Sequence, residues 1–353
     1  MKYRNVILYS ILATAVVAII VDNILLKKDS TKPILISSIT DAQYVGDLTC
    51  KSCHQKEYGL WKTSDHAKAM ELPNDSTVKG DFNNTTYTAD GVTSKFYKTG
   101  SKFFINTQGE DGKNHDYEVA YTFGHYPLQQ YLIKFPNGKY QTTRTSWDTK
   151  AKKWFHQYKG DKIPAGDWLH WTGGAQNWNT NCADCHSTNL QKNYFVEKDS
   201  FNTTYSAINV SCEACHGPAS SHLEYINGDY KKGKKEAGSR LALPKNSSQI
   251  AQINACTPCH ARRTMVNKDL IHSDELLDNY IPEIPIGESF HDDGQVKEED
   301  FIYTSFAQSK MYEMGVSCNN CHNSHSGKLV LNANNVCQQC HQKEYNEPEH
   351  TFH

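Results

Sequence analysis

One short pattern, Cys-x-x-Cys-His, occurs six times in the chain and uses all 12 of its cysteines. Its two thiols can add to the vinyl groups of a haem, and the adjacent histidine can bind the iron from the proximal side. Zinc ribbons and thioredoxin-like sites also use Cys-x-x-Cys, but neither requires the following histidine. With 17 histidines in 353 residues, chance would place one at a given position about once in twenty. The pattern therefore predicts six covalently attached haem c groups.

The motif residues divide into two predicted roles. The thioether cysteines are Cys50, Cys53, Cys182, Cys185, Cys212, Cys215, Cys256, Cys259, Cys318, Cys321, Cys337 and Cys340. The proximal iron ligands are His54, His186, His216, His260, His322 and His341. Six irons need up to six further ligands, and the chain offers 11 histidines outside the motifs but only four methionines after Met1. Histidine is therefore the expected distal ligand, and bis-histidine ligation favours low reduction potentials because it lacks the thioether that raises them.

The amino-terminal segment indicates the compartment. Lys2 and Arg4 precede an apolar run from Val6 to Val21, which Asp22-Asn23 then interrupts. This pattern fits either a cleaved secretory signal or an uncleaved anchor in the cytoplasmic membrane, and we favour the anchor because no clear cleavage site ends the run. Both alternatives place the rest of the chain in the periplasm or elsewhere outside the cytoplasm, where c-type haem is attached. The net charge of −2 gives no indication of nucleic acid binding.

The motifs also divide the chain. We expect a signal anchor or signal peptide at 1–28, a polar linker at 29–44, a first haem module at 45–80, an inserted β module at 81–165 and a five-haem cluster at 166–353. Aromatic and β-branched runs separated by turn pairs such as Asp90-Gly91 and Asn137-Gly138 predict four to six antiparallel strands in the inserted module. The expected fold class is therefore a mostly irregular and α-helical, haem-packed cytochrome with that β module and an amino-terminal transmembrane or signal helix.

Several segments resemble a family of multihaem c-type cytochromes with doubled Cys-x-x-Cys-His motifs, often fused to tetratricopeptide repeats. The similar segments are His170–Asn179, Cys182–Leu190, Tyr121–Gly124, Pro127–Leu132, Cys212–Pro218 and Ser309–Tyr312. The resemblance covers about 44–353 and implies extracytoplasmic electron transfer by mostly bis-histidine haems. It implies distal ligands at His66, His170, His222, His325 and either His350 or His353. His125 departs from the family pattern.

Spacing adds two expectations about these histidines. His222 and His325 follow their own proximal histidines so closely that each should bind the iron of a neighbouring haem. The run Cys53-His-Gln-Lys-Glu-Tyr58 recurs at Cys340–Tyr345, and a histidine follows each proximal histidine by 12 residues, at His66 and at His353. This repeat favours His353 over His350. Separately, we slightly prefer His291 to His272 as the sixth distal ligand.

The leading functional hypothesis is an anchored or periplasmic electron carrier between a quinol-side donor and a terminal acceptor. Its expected partners are redox proteins, with the membrane contacted through the amino-terminal segment. One alternative is a haem reductase that acts on a small nitrogen or sulfur oxyanion at one five-coordinate iron, with His125 and Arg144 as pocket candidates. Another is a subunit of an extracellular haem-wire assembly. The supply of histidines favours a carrier over a catalyst.

Overall fold

The structure of the protein, a computed structural model, describes residues 41–235, 237–243, 247–267, 276–284, 290–292, 297 and 302–342. The predicted signal anchor at 1–28 and most of the linker lie outside these residues. Within the described ranges, none of the helices has both the length and the apolar character needed to cross a bilayer.

A nine-stranded antiparallel sheet is the largest element of the described structure. Its strands are β1 (Met70–Glu71), β2 (Asn83–Ala89), β3 (Val92–Thr99), β4 (Lys102–Gln108), β5 (Asn114–Phe123), β6 (Leu128–Lys134), β7 (Tyr140–Thr142), β8 (Thr145–Asp148) and β9 (Lys153–His156). They are hydrogen-bonded in the order β2-β3-β4-β5-β6-β8-β9, while β1 pairs with β5 and β7 pairs with β6. Short hairpins join most neighbours, which is the connectivity that antiparallel pairing allows.

The strand pattern follows from alternation and turn chemistry. In β4, Phe103, Ile105 and Thr107 are buried while the residues between them are only partly buried, so one face of the strand meets the core. Asp90 and Gly91 both adopt positive φ, at 52° and 85°, between the paired residues of β2 and β3. Asn137 and Gly138 do the same at 60° and 72° between β6 and β7. Both dipeptides therefore make the tight turns that their residue types favour.

An aromatic core fills one face of this sheet. Its members are Phe82, Phe96, Phe103, Ile105, Val119, Tyr131, Ile133, Trp147, Trp154 and Trp171. Phe96 stacks on Trp154 with ring centroids 3.6 Å apart, and Phe82 makes edge contacts with four neighbouring rings. Burial of such large apolar rings, with edge-to-face geometry, gives the sheet a core built from its own residues.

Short helices make up most of the remaining regular structure. They are α1 (Asp47–Lys51), α2 (Gln55–Lys62), α3 (Trp178–Asn181), α4 (Ala183–His186), α5 (Cys212–His216), α6 (Ser220–Tyr225), α7 (Gln249–His260), α8 (Leu276–Asn279), α9 (Ile302–Ala307), α10 (Lys310–Glu313) and α11 (Cys318–Cys321). Two further strand pairs are β10 (Tyr194–Phe195) with β11 (Ser200–Phe201) and β12 (Arg263–Met265) with β13 (Tyr280–Pro282). A 3₁₀ segment, Ala333–Gln339, precedes Cys340.

The expected fold class, mostly irregular and α-helical, is wrong, while the amino-terminal transmembrane or signal helix that was part of it lies outside the described residues. The described chain is rich in antiparallel sheet, and its strands extend from Met70 to His156 instead of forming a small insertion of four to six strands. The polar strand β2 and the short strands β1, β7, β8 and β9 account for the difference. A two-residue strand carries no periodic signal, and a strand of Asn, Thr and Tyr lacks the apolar alternation that a strand prediction needs.

Candidate haem-binding site

Each attachment motif is folded as one tight turn. The amide of His54 donates to the carbonyl of Cys50 over 2.9 Å, and the amides of His322 and His341 bond in the same way to Cys318 and Cys337, also over 2.9 Å. This bond joins residues four apart, as in a helix. Residues at i, i+3 and i+4 share one side of such a turn, so the two thiols and the imidazole of a motif can reach one haem.

The motifs are also in contact with one another. All 12 cysteines are free of disulfides. The thiols of Cys50 and Cys212 lie next to each other, as do those of Cys185 and Cys259 and those of Cys256 and Cys318. Every one of these contacts joins two different motifs. The attachment points of motifs one and three, two and four, and four and five therefore lie side by side.

Three attachment histidines lie close to a second histidine from elsewhere in the chain. The rings of His54 and His222 have centroids 6.3 Å apart, those of His260 and His66 are 6.2 Å apart, and those of His216 and His325 are 6.3 Å apart. Each pair consists of one predicted proximal ligand and one predicted distal ligand. His222 and His325 both meet the proximal histidine of another motif, the arrangement that their short spacing predicts.

The spacing of these rings fits a metal ion between them. A metal-bound imidazole nitrogen lies about 2 Å from the ion, and the ring centre lies roughly 1 Å further away. Two imidazoles on opposite sides of one ion therefore have centroids about 6 Å apart. The three histidine pairs consequently have the separation that a bis-histidine iron requires.

In several histidines the ring nitrogen Nδ1 is hydrogen-bonded to a backbone carbonyl. Nδ1 of His216 lies 3.0 Å from the carbonyl oxygen of Leu243, and Nδ1 of His222 lies 2.8 Å from that of Ser239. In His322 the same contact is made with Gly327 over 3.2 Å. A carbonyl oxygen can only accept, so Nδ1 must carry the proton and Nε2 keeps its lone pair. This is the tautomer that a histidine needs in order to bind a metal through Nε2.

Burial favours the neutral form of three of the paired histidines. It lowers the pKa of His66, His216 and His260, because the charged form of an imidazole is disfavoured away from water. The pKa of His186 falls to about 4, first through burial and then through the nearby His66 and His260 rings. A neutral imidazole is the metal-binding form, so these side chains are ready to bind iron at neutral pH.

His186 differs from the attachment histidines His54, His216 and His260, each of which lies beside a second histidine. Its ring lies 4.5 Å from the ring of Phe123, and its Nδ1 is buried with no hydrogen-bond partner among the described residues. Ring contacts within the described chain do not join it to a second histidine. The His186 position therefore lacks the imidazole pairing seen for His54, His216 and His260.

The structure does not bring His170 together with an attachment histidine. Trp171, next to it, donates from its indole nitrogen to the carbonyl of Gln108 over 2.6 Å, and Gln108 pairs with the first residue of β5. Phe123, which touches His186, ends that strand. Since β5 has 10 residues, its two ends are about 30 Å apart at the usual rise of a strand. His170 thus lies at the far end of the sheet from His186.

Other predicted ligands are spread over the remaining chain. His291 is exposed, and His350, His353 and His272 lie outside the described residues. His125 lies with Nε2 3.4 Å from the ammonium group of Lys68, and its buried Nδ1 has no hydrogen-bond partner in the part of the chain that the structure describes. The distal roles of His291, His350 and His353 remain predictions.

Two residues inside the motifs have roles that the sequence analysis missed. Glu213, between the cysteines of the third motif, is only 2% exposed. Its carboxylate accepts from the amides of Val45 and Gly46, both at 2.9 Å, and of Ala219 at 3.1 Å. Glu213 therefore ties the segment before the first motif to the third. Only the presence of an acidic residue between two cysteines could have signalled this role.

Asp184, between the cysteines of the second motif, forms an ion pair with Arg263. The Arg263 side chain also donates from Nε to the carbonyl of Pro258 over 2.8 Å and lies 4.4 Å from the ring of Tyr280. Pro258 stands between the cysteines of the fourth motif. Arg263 therefore holds motifs two and four against each other, in agreement with the contact between Cys185 and Cys259.

The family described as "Cytochrome c554 and c-prime" matches residues 49–99 and 137–217, which include the first three motifs. Among solved structures, the outer cell wall cytochrome OcwA is similar over 85% of this chain and 68% of its own, with a TM-score of 0.54 and 18% identity. The undecaheme cytochrome from the S-layer of Carboxydothermus ferrireducens covers 86% of this chain and 43% of its own, with a TM-score of 0.45 and 15% identity. None of the curated proteins matches the chain. The similarity to OcwA shows a shared fold.

Proposed function

We propose that the chain is a six-haem c-type cytochrome that carries electrons outside the cytoplasm between redox partner proteins, as the family match and the fold shared with OcwA support. The six Cys-x-x-Cys-His motifs support the count of six. The location is supported by the compartment in which c-type haem is attached. The structurally similar OcwA is an outer cell wall cytochrome, which supports the same location for this chain.

The observation that carries this proposal is the set of three histidine pairs, His54 with His222, His260 with His66, and His216 with His325. Their centroid separations of 6.2–6.3 Å fit an iron held from both sides. Bound haem supplies one-electron iron chemistry, and two histidine ligands leave no position open for a substrate. These residues would therefore hold haem for electron transfer.

The contacts between motifs supply the continuity that a carrier needs. Cys50 meets Cys212, Cys185 meets Cys259, and Cys256 meets Cys318. His66, which follows the first motif, pairs with His260 of the fourth. Motifs one to five are thus connected by direct side-chain contacts without an intervening layer of protein. For the irons at His322 and His341, the proposed distal ligands are His353, His350 or His291.

The proposed partners are a quinol-side donor and a terminal acceptor protein. Anchoring in the cytoplasmic membrane through 1–28 is part of the same proposal, since a tethered carrier stays close to a membrane donor. The alternative of a haem-wire subunit predicts purification as filaments, whereas the carrier predicts a discrete particle.

A second function, reduction of a small nitrogen or sulfur oxyanion, is favoured by one observation. His186 has no histidine partner in the described chain, and its ring is beside Phe123. A five-coordinate iron at that position could bind a small ligand. The carrier is preferred because the other three attachment histidines of the same cluster are paired.

Low-temperature EPR of the oxidised, fully loaded protein tests the proposal. The carrier predicts low-spin signals from at least three bis-histidine haems, together with reversible reduction of the whole protein on an electrode. Predominantly high-spin signals would contradict the carrier. Rapid turnover of nitrite, hydroxylamine or tetrathionate with a reduced dye would establish the reductase instead.

A further inference from the structure

A cavity of about 380 Å³ lies at the end of the sheet that is remote from His186. Strands β2, β3, β4, β8 and β9 surround it together with the segment that runs up to Trp171. Its walls combine two kinds of side chain. Ile105 and Trp171 form an apolar side, and Arg144, His156 and His170 form a polar side.

Arg144 is the unusual member of this lining. Its Nε is buried and has no hydrogen-bond partner among the described residues. Its guanidinium lies 4.6 Å from the ring centre of Tyr158, and no carboxylate of the described chain forms an ion pair with it. Burial lowers the pKa of Arg144, and this effect exceeds the opposing influence of Tyr158, Asp161 and Asp90. A buried guanidinium donor without an acceptor is unfavourable unless a ligand supplies one.

The nearby acids do not supply that acceptor. Both carboxylate oxygens of Asp90 accept from the amide of Gly160, at 3.1 and 3.2 Å, and one of them lies 3.9 Å from Nδ1 of His156. Asp161 lines the cavity from an exposed position, beside the exposed Lys162. The carboxylate of Asp90 is therefore held by the loop, and among the described residues neither Asp90 nor Asp161 forms an ion pair with Arg144.

His156 adds a second donor. Its Nδ1 accepts from the amide of Tyr158 over 3.3 Å, so in the neutral ring the proton must be on Nε2. That N–H has no partner among the described residues. A metal ion is the wrong ligand for this cavity, because a guanidinium repels cations and the described residues contain no cluster of three metal-binding side chains.

We propose that Arg144 and His156 form a binding site for a small oxyanion, either an inorganic oxyanion or a short carboxylate. The planar guanidinium can bind two oxygens of such a ligand at once. The apolar side formed by Ile105 and Trp171 keeps bulk water out of the cavity. It can also contact the carbon atoms of a bound carboxylate. The site is separate from the His186 attachment site, since the length of β5 lies between them.

Isothermal titration calorimetry on the full, haem-loaded protein tests the site, with sodium sulfate, sodium phosphate and disodium succinate as probes at matched ionic strength. We expect saturable binding of at least one probe, and preference for succinate or for the inorganic ions identifies which source of oxygens the site takes. Arg144→Gln should weaken that binding at least tenfold. Lys102→Gln removes a positive charge from an exposed position of β4, where Lys102 pairs with Glu118, and should leave the affinity unchanged.

The absorption spectrum and thermal unfolding of each variant show whether it is folded. If Arg144→Gln does not fold, His156→Phe removes the second donor and should weaken binding several-fold. The proposal is overturned if no probe gives saturable binding, or if folded Arg144→Gln, or His156→Phe in its place, binds as tightly as the natural protein.

Discussion

The imidazole rings of His54 and His222 lie 6.3 Å apart, although His54 belongs to the first motif and His222 follows the third. The Nδ1 of His222 is engaged by the carbonyl of Ser239 at 2.8 Å, which leaves Nε2 for a metal. The pair therefore joins two distant parts of the chain through one proposed iron. Loss of either ring should remove one ligand from that iron and weaken the contact between motifs one and three.

Replacement of His222 by methionine should raise the reduction potential of one haem and leave the others near their original values. A thioether favours the reduced iron more than an imidazole does, and axial ligands of haem proteins set potentials over a range of roughly 0.8 V. A spectroscopic redox titration measures the change. His115→Met is the matched control because His115 is exposed on β5, pairs with Asp111 and is not proposed to bind iron. Equal potentials in His222→Met and the natural protein would show that His222 is not a ligand.

Fully matured protein should contain six covalent haems per chain. The six motifs use all 12 cysteines, and each of those cysteines is free of disulfides in the folded chain. Intact mass together with a pyridine haemochrome assay measures the count. Cys185→Ala should weaken the attachment of one haem, and it also removes the contact with Cys259 that joins motifs two and four. Five or fewer haems in the natural protein would disprove the count.

The motif residues could be predicted from the sequence because covalent chemistry fixes their types and spacing. The histidine partners were only partly predictable. His222 and His325 are too close to their own motifs to bind the same iron, but the sequence does not say which other motif they meet. The sheet has more strands than the sequence predicts, since β2 is polar and β1 has only two residues. The role of Glu213 could not be predicted, because its three hydrogen-bond partners are backbone amides, which every residue type except proline has.

Carbon monoxide should bind to no more than one haem of the reduced protein. Three irons are proposed to have two histidine ligands each. The ring of His186 has Phe123 beside it where the other three attachment histidines have a second imidazole. Titration with carbon monoxide, followed by the Soret absorption change per haem, gives the stoichiometry. Fast binding to several haems would mean that the histidine pairs open in solution, and the carrier function would then be wrong.

Replacement of Glu213 by glutamine should destabilise the folded protein by about 1–3 kcal/mol, because a buried amide N–H would lose its acceptor. The carboxylate of Glu213 accepts from three backbone amides, and an amide side chain has only one accepting oxygen. Thermal or guanidinium unfolding, followed by haem absorption, measures the loss. Glu224→Gln is the control, since Glu224 is exposed on α6. Equal effects of the two changes would mean that the amide contacts contribute little.

The sheet should stay folded when haem attachment fails. Its main aromatic core, from Phe82 to Trp171, contains none of the motif residues, and its strands are joined mostly by short hairpins. The described chain from Cys182 onward has mostly short helices and two-stranded sheets, and it contains five of the six motifs. Chain made without haem should therefore yield, on limited proteolysis, a resistant fragment that begins before Met70 and ends after Trp171, because β1 pairs with β5 and Trp171 belongs to the core.

Mass spectrometry of the fragment gives both ends, and circular dichroism should show antiparallel sheet. Trp154→Ala is the matched variant. Its ring stacks on Phe96 at 3.6 Å, and loss of a buried tryptophan costs about 3–5 kcal/mol, so the resistant fragment should disappear. Trp168→Ala removes an exposed tryptophan and should leave the fragment intact. Complete digestion of the haem-free natural chain would show that the sheet depends on the haem-binding region for its stability, and that 81–165 is not an independent module.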